Sequence, residues 1–237
     1  MKALVLMALT AALVPAAQDT ALPTIDQILD KYVQASGGRE AIGKITSRVM
    51  KGDIEVSTYG VKGPFEQVTA VPGRTITTSE FEGYGKVMQG YDGSSGWASD
   101  PQQGLREMTA VERERARRDA DLQNVLRLKS YYKSLTVKGK AKVGEHEAWL
   151  VEAQPAEGAV ERLYFDSQSG LLSEVDIEMP SKSVMKVVLE DYKTVDGLLL
   201  PFTFKEDSPE ISLVIRISEI THNVAIDPAR FAKPAAN

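Results

Sequence analysis

The sequence predicts an α+β fold that is mainly antiparallel sheet: about ten strands curled into an open or closed barrel, with helices on the concave apolar face. Three observations predict it. Apolar and polar residues alternate with a period of two over most of the chain, as in "ISLVIRISEI", which gives strands with one buried and one wet face. Glycine and proline recur between these runs, at hairpin intervals. Two longer stretches carry a helical period, one before the strands and one in their middle. About ten strands in one meander are too many to stay flat once twisted, so the sheet curls.

The chain opens "MKALVLMALTAALVPAAQDT". Lys2 gives a positive start, Ala3–Val14 is apolar apart from Thr10, and Pro15-Ala16-Ala17 supplies small residues for a peptidase. This is the pattern of a secretory signal peptide over residues 1–17, cut after Ala17 with Ala16 as the other candidate. The run is shorter than the ~20 apolar residues a spanning helix needs. The expected destination is the periplasm, with secretion as the other outcome of export. No later run reaches spanning length, and no linker composition divides residues 18–237, which are expected to form a single domain.

Thr24 and Gln27 have capping-box spacing. Ile25, Ile28, Leu29, Tyr32 and Val33 then form one apolar stripe, stopped by Gly37 and Gly38. A short helix is expected over Arg39–Lys44. From Ile45 the period becomes two. "SRVMKGDIEVSTYG", "GPFEQVTAV", "TITTSEF", "GKVMQGYDG" and "GWASD" read as successive strands. Thr109 and Glu112 repeat the capping spacing, and "ERERARRDADLQNVLRLK" continues as one helix whose apolar face is Leu122, Val125 and Leu126. Strands resume after Leu135 and run to "ISLVIRISEI". The tail "AKPAAN" is expected to fray.

Composition excludes several functions. The formal net charge is −5, which is unsuited to nucleic acid. Cysteine is absent, so disulfides, thiol catalysis, thiolate metal sites and a lipid-modified N-terminal cysteine are excluded. The stretch "GYDGSSGWASDP" has the residue types of a site, but Gly93-Ser94-Ser95-Gly96 misses the G-x-S-x-G spacing. It also lacks the lysine of a phosphate loop and reads as a tight hairpin. His146 and His222 read as two separated surface histidines without a third metal ligand. Glu190-Asp191 and Glu206-Asp207 read as solvated strand-end charges. The run Glu112–Asp121 reads as a solvated helical face, on which Arg113, Arg115, Arg117 and Arg118 are placed to touch an anionic headgroup or acidic partner. No catalytic, metal or cofactor constellation is expected.

The ordered set of "AVPGRTITT", "GYDGSSGWASDP", "RLYFDSQSGLLSEVDIE" and the ending "EITHNVAIDPARFAKP" resembles the LolA/LolB-like superfamily, the periplasmic lipoprotein carriers and their relatives. The ending carries N-x-x-x-D-x-x-x-F-x-x-P as Asn223, Asp227, Phe231 and Pro234. The resemblance implies an unclosed half-barrel with a helical lid and a cavity for acyl chains. It also implies that Trp97 belongs to a structural hairpin. Two features depart from the carriers. The position of their lid-latching arginine is Val71 here, with Arg74 two residues after Pro72, and there is no lipobox cysteine. The opening "ILDKYVQASGGREAIGKI" is similar to a broad exported bacterial branch.

The reading is an exported, non-enzymatic binding protein for a lipid, a lipoprotein acyl chain or another apolar ligand. The expected cavity residues are Ile28, Tyr32, Tyr91, Trp97, Leu122, Leu126, Trp149, Phe165, Phe202 and Phe204. The alternative is an envelope protein-interaction or sensing module, like the sigma-factor regulators that share this fold. A hydrolase using acidic residues is a third reading.

Overall fold

A computed structural model describes residues 21–179 and 181–234. The proposed signal peptide and the last residues of the tail lie outside them. Helix α1 (Ile25–Ala35) starts at the expected capping box, with Thr24 and Gln27 satisfying each other's backbone. Helix α2 (Gly38–Gly43) follows. Strands β1 (Ser47–Val56), β2 (Val61–Ala70), β3 (Arg74–Phe81), β4 (Gly85–Tyr91), β5 (Gly96–Asp100) and β6 (Gly104–Glu107) form a first meander. Helices α3 (Ala110–Asp119) and α4 (Asn124–Arg127) come next, with a 3-10 turn over Leu128–Tyr131. The second meander is β7 (Tyr132–Val143), β8 (His146–Pro155), β9 (Glu161–Asp166), β10 (Leu172–Glu178), β11 (Val184–Val195), β12 (Leu198–Asp207) and β13 (Ser212–His222). A last 3-10 turn spans Pro228–Phe231.

All thirteen strands belong to one antiparallel sheet ordered β6-β5-β4-β3-β2-β1-β13-β12-β11-β10-β9-β8-β7. The sequence predicts about ten; β6, with four residues, is too short to show alternation. The sheet does not close. The two meanders join where β13 returns to pair with β1, and Gly52 permits the close approach there: a Cβ would strike the Arg216 carbonyl. The free edges, β6 and β7, are consecutive in the chain. The link between them, residues 108–131, must therefore cross from one edge of the curved sheet to the other, and it carries α3 and α4. Lys133, Lys138, Lys140 and Lys142 stud the long edge strand β7 and discourage pairing with another chain.

The single helix expected after Thr109 is broken. α3 ends at Asp119. The Asp121 carboxylate then accepts from the Gln123 backbone N–H (2.9 Å), and the Asp121 carbonyl from that of Asn124 (2.9 Å). This local turn diverts the chain and buries Leu122.

The convex face has its own small core. Val49, Val68, Ile76, Gly90 and Trp97 lie side by side across β1–β5 by register. The Trp97 indole lies over Gly90, where a Cβ would collide with it. Phe231 covers this cluster from the C-terminal turn and is 1% exposed. Asp227 caps that turn by accepting from the Ala229 N–H (2.9 Å), and Asn223 accepts from the Thr46 N–H (2.9 Å). Three residues of the terminal motif thus fasten the end of the chain to the sheet.

The hairpin "GYDGSSGW" is a turn built on Asp92. Its carboxylate accepts from the backbone N–H groups of Ser94 and Ser95 (both 2.8 Å) and from their hydroxyls (both 2.9 Å). These donors, the Ser95 N–H foremost, pull its pKa down to about 2. Its stabilisation is complete above the unfolded value near ~3.9 and is lost as pH falls through the folded value. Asp92→Ala is expected to lower stability by about 1 kcal/mol at neutral pH, with a smaller loss for Asp92→Asn, read from urea midpoints.

Candidate ligand-binding cavity

Register fixes which side chains face inward. Met50, Ile54 and Val56 of β1 share a face and lie opposite Ile220, Ile215 and Leu213 of β13. Leu189 of β11 lies opposite Phe204 of β12. With Val175 and Ile177 of β10 these residues form the apolar floor of a cavity of about 970 Å³. That is at the upper end of the range for small-molecule sites. α1 roofs the β7–β9 end, where Ile28 packs with Val151, Leu163 and Phe165. α3 roofs the other end, where Ala116 and Ala120 pack with Tyr91 and Met108. Leu122, Val125 and Leu128 reach the cavity from the link between the sheet edges.

Polar groups also line the wall, among them Gln67, Thr77, Ser79 and Gln89 of β2–β4 and a charged group at α3. Arg118 of α3 reaches the far end of the sheet and grips Glu161 of β9 with two bonds (2.7 and 2.8 Å). The Tyr132 hydroxyl donates to the same carboxylate (2.7 Å) and accepts from Arg118 (2.7 Å). Burial pushes the Glu161 carboxyl up, but the Arg118 bonds more than offset this and hold it below its ordinary value. This network latches the lid helix across the cavity. Beside it, Arg115 and Asp119 of α3 and Glu206 of β12 also line the wall. Asp119 is exposed and contributes to the cavity lining. Enclosure raises the pKa of Asp119 and of Glu206. Elsewhere on the wall, Arg48 donates from Nε to His222 Nε2 (3.0 Å), and His222 Nδ1 lies 2.9 Å from Asp196. Among the described residues, no three His, Cys, Asp or Glu side chains are grouped to hold a metal ion, and no helix is long and apolar enough to cross a membrane.

Solved structures with the same architecture exist. A LolA superfamily protein from Nitrosomonas europaea superposes with a TM-score of 0.63 at 11% identity, over 90% of this chain and 99% of the other. The fold is LolA-like. A DUF1329 family protein from Desulfovibrio piger matches with a TM-score of 0.62 at 13% identity, over 88% and 97% of the two chains. An outer membrane lipoprotein-sorting protein domain from Vibrio parahaemolyticus matches with a TM-score of 0.58 at 10% identity, over 86% and 97%. No protein-family model matches the sequence, and no curated protein matches it significantly.

The LolA-like sheet distributes the ten expected cavity residues unevenly. Tyr32, Leu122 and Phe204 line the cavity. Ile28, Phe165 and Trp149 belong to the cluster beneath α1, where the Tyr32 and Phe165 rings meet edge-on at 5.3 Å. Tyr91 is sealed under α3, and Leu126 packs beside Val33, Ile42 and Leu198. Phe202 is buried in the central cluster with Lys193 over its ring at 4.7 Å. Trp97 lies on the convex face, because the alternation that turns Gly96 and Ala98 inward turns Trp97 outward.

Three further expectations are corrected. His222 is not on the surface: its side chain is 1% exposed, whereas His146 is 72% exposed. Glu206 faces the cavity rather than solvent. The charged run on α3 is not a solvated face throughout, since Arg115, Arg118 and Asp119 contribute to the cavity lining. Arg113 stays exposed, while Arg117 pairs with Glu114 (2.6 Å). Arg74 follows the convex side and sits over Phe231 at 5.2 Å, so the lid's arginine contact across the cavity comes from Arg118. Sequence reading missed Arg48, although an arginine in register with inward Met50, Ile54 and Val56 was a signal for it.

Proposed function

We propose that this protein is an exported, non-enzymatic binding protein that holds a lipid, a lipoprotein acyl chain or another apolar molecule under its helical lid, in envelope lipid or lipoprotein trafficking. The observation that carries the proposal is the roughly 970 Å³ cavity, floored by aliphatic side chains from six or more strands and roofed by helices. Such a space offers apolar surface without reactive groups arranged for chemistry. Each methylene moved from water into it recovers about 0.8 kcal/mol. Ten recover about 8 kcal/mol, the scale of a micromolar complex before association costs are subtracted. Longer chains are therefore the favoured cargo. The similarity of fold to a lipoprotein-sorting domain agrees with this reading.

The test is titration of the purified mature chain with a fluorescent long-chain acyl probe. Saturable uptake near one probe per protein, displaced by unlabelled long-chain lipid, is the expected result. Absence of uptake turns the reading toward the alternative, an envelope interaction module whose partner is a polypeptide.

A further inference from the structure

We infer that Arg48 is the head-group anchor of the cavity, and that the ligand is an amphiphile with one anionic head, a carboxylate or a phosphate, on a long apolar chain. This rests on the cavity being a ligand site, and it names the chemistry of that ligand. Arg48 lies on β1 two residues before Met50, on the face that Ile54 and Val56 also share, and it contributes to the cavity wall. Its Nε is committed to His222. His222 is held in turn by Asp196 (2.9 Å), so the imidazole fixes the plane of the guanidinium from behind. The two Nη groups make no hydrogen bond among the described residues, and no carboxylate there forms an ion pair with Arg48.

The other charged groups of the wall have opposite charges of the protein near them. Glu161 is held by Arg118 (2.7 Å); Arg115 has no ion pair within 4 Å among the described residues, but its charge acts on the carboxylates of Asp119 and Glu206. Near Arg48 stands Tyr32, whose hydroxyl interacts with Ser36. Enclosure pulls the Arg48 pKa down to about 10, which leaves it charged at neutral pH. An enclosed charge without a counter-ion is costly. A guanidinium whose plane is fixed and whose outer donors are free suits a carboxylate or phosphate taken two oxygens at a time. The apolar floor beside it would then receive the chain.

The experiment compares palmitate, hexadecyl phosphate and methyl palmitate as competitors of the acyl probe, in the mature wild-type chain and in Arg48→Met. The wild type is expected to bind the two anions at least about tenfold more tightly than the ester, the worth of one charge-assisted contact. Arg48→Met is expected to erase that preference while leaving the ester's affinity unchanged. Equal affinity for acid and ester in the wild type, or a preference that survives in Arg48→Met, overturns the inference and leaves the cavity reading standing. Failure of all three to compete overturns both. Should Arg48→Met not fold, the wild-type ratio decides alone, and Arg48→Lys is expected to keep part of the preference.

Discussion

Glu161→Ala is expected to cost about 3–5 kcal/mol of stability, because it strands the Arg118 guanidinium in a buried setting. The side chains of Arg118 and Glu161 are 15% and 7% exposed, and without the carboxylate Arg118 keeps the Tyr132 hydroxyl as its side-chain partner. Differential scanning calorimetry is expected to show a midpoint lower by about 10 °C. The loss has a location as well as a size. Amides at the C-terminal end of α3, around Ala116–Ala120, are expected to exchange faster than those of β1 and β13, because the latch to β9 is gone. The same bond sets an acid limit. With the Glu161 carboxyl held below its ordinary value, its contribution is complete above the unfolded pKa near ~4.3 and is lost as pH falls through the folded value. Wild-type stability is therefore expected to fall below about pH 4 more steeply than that of the variant.

Leu189→Trp is expected to lower acyl-probe affinity at least about tenfold with little change in stability. Leu189 is partly exposed on β11, opposite Phe204, and looks into the cavity. A larger ring there occupies empty space instead of displacing packed neighbours, so the usual penalty of overpacking does not apply. Thr203→Trp, one residue along β12 from Phe204 and on the opposite face, is expected to leave uptake unchanged. The pair separates loss of cavity space from a general effect of added tryptophan.

Much of the architecture was legible because its determinants are local. The α1 capping box, the α3 capping box and the alternation of Ile211, Leu213 and Ile215 each follow from short-range chemistry, and each appears as expected. The site was less legible because it depends on register. Trp97 faces away from the cavity because of its place in the β4–β5 pairing, which composition does not reveal. Tyr91 and Phe165 are on the inner face but lie beneath helices. Their exclusion depends on where the lid sits. Arg118 looked like one more charge in a mixed run until the crossing of residues 108–131 brought it to Glu161. The break after Asp119 depends on a single side-chain turn at Asp121, which the helical periodicity of Leu122, Val125 and Leu126 masks.

Whether the half-barrel holds an apolar ligand is decided by expressing the chain with its export segment, purifying it without detergent, and analysing its organic extract by mass spectrometry. A long-chain lipid or acyl species near one equivalent per protein is expected, with depletion of that species in Leu189→Trp. An extract that is empty, from a folded protein that also takes up no added acyl probe, would contradict the proposed function.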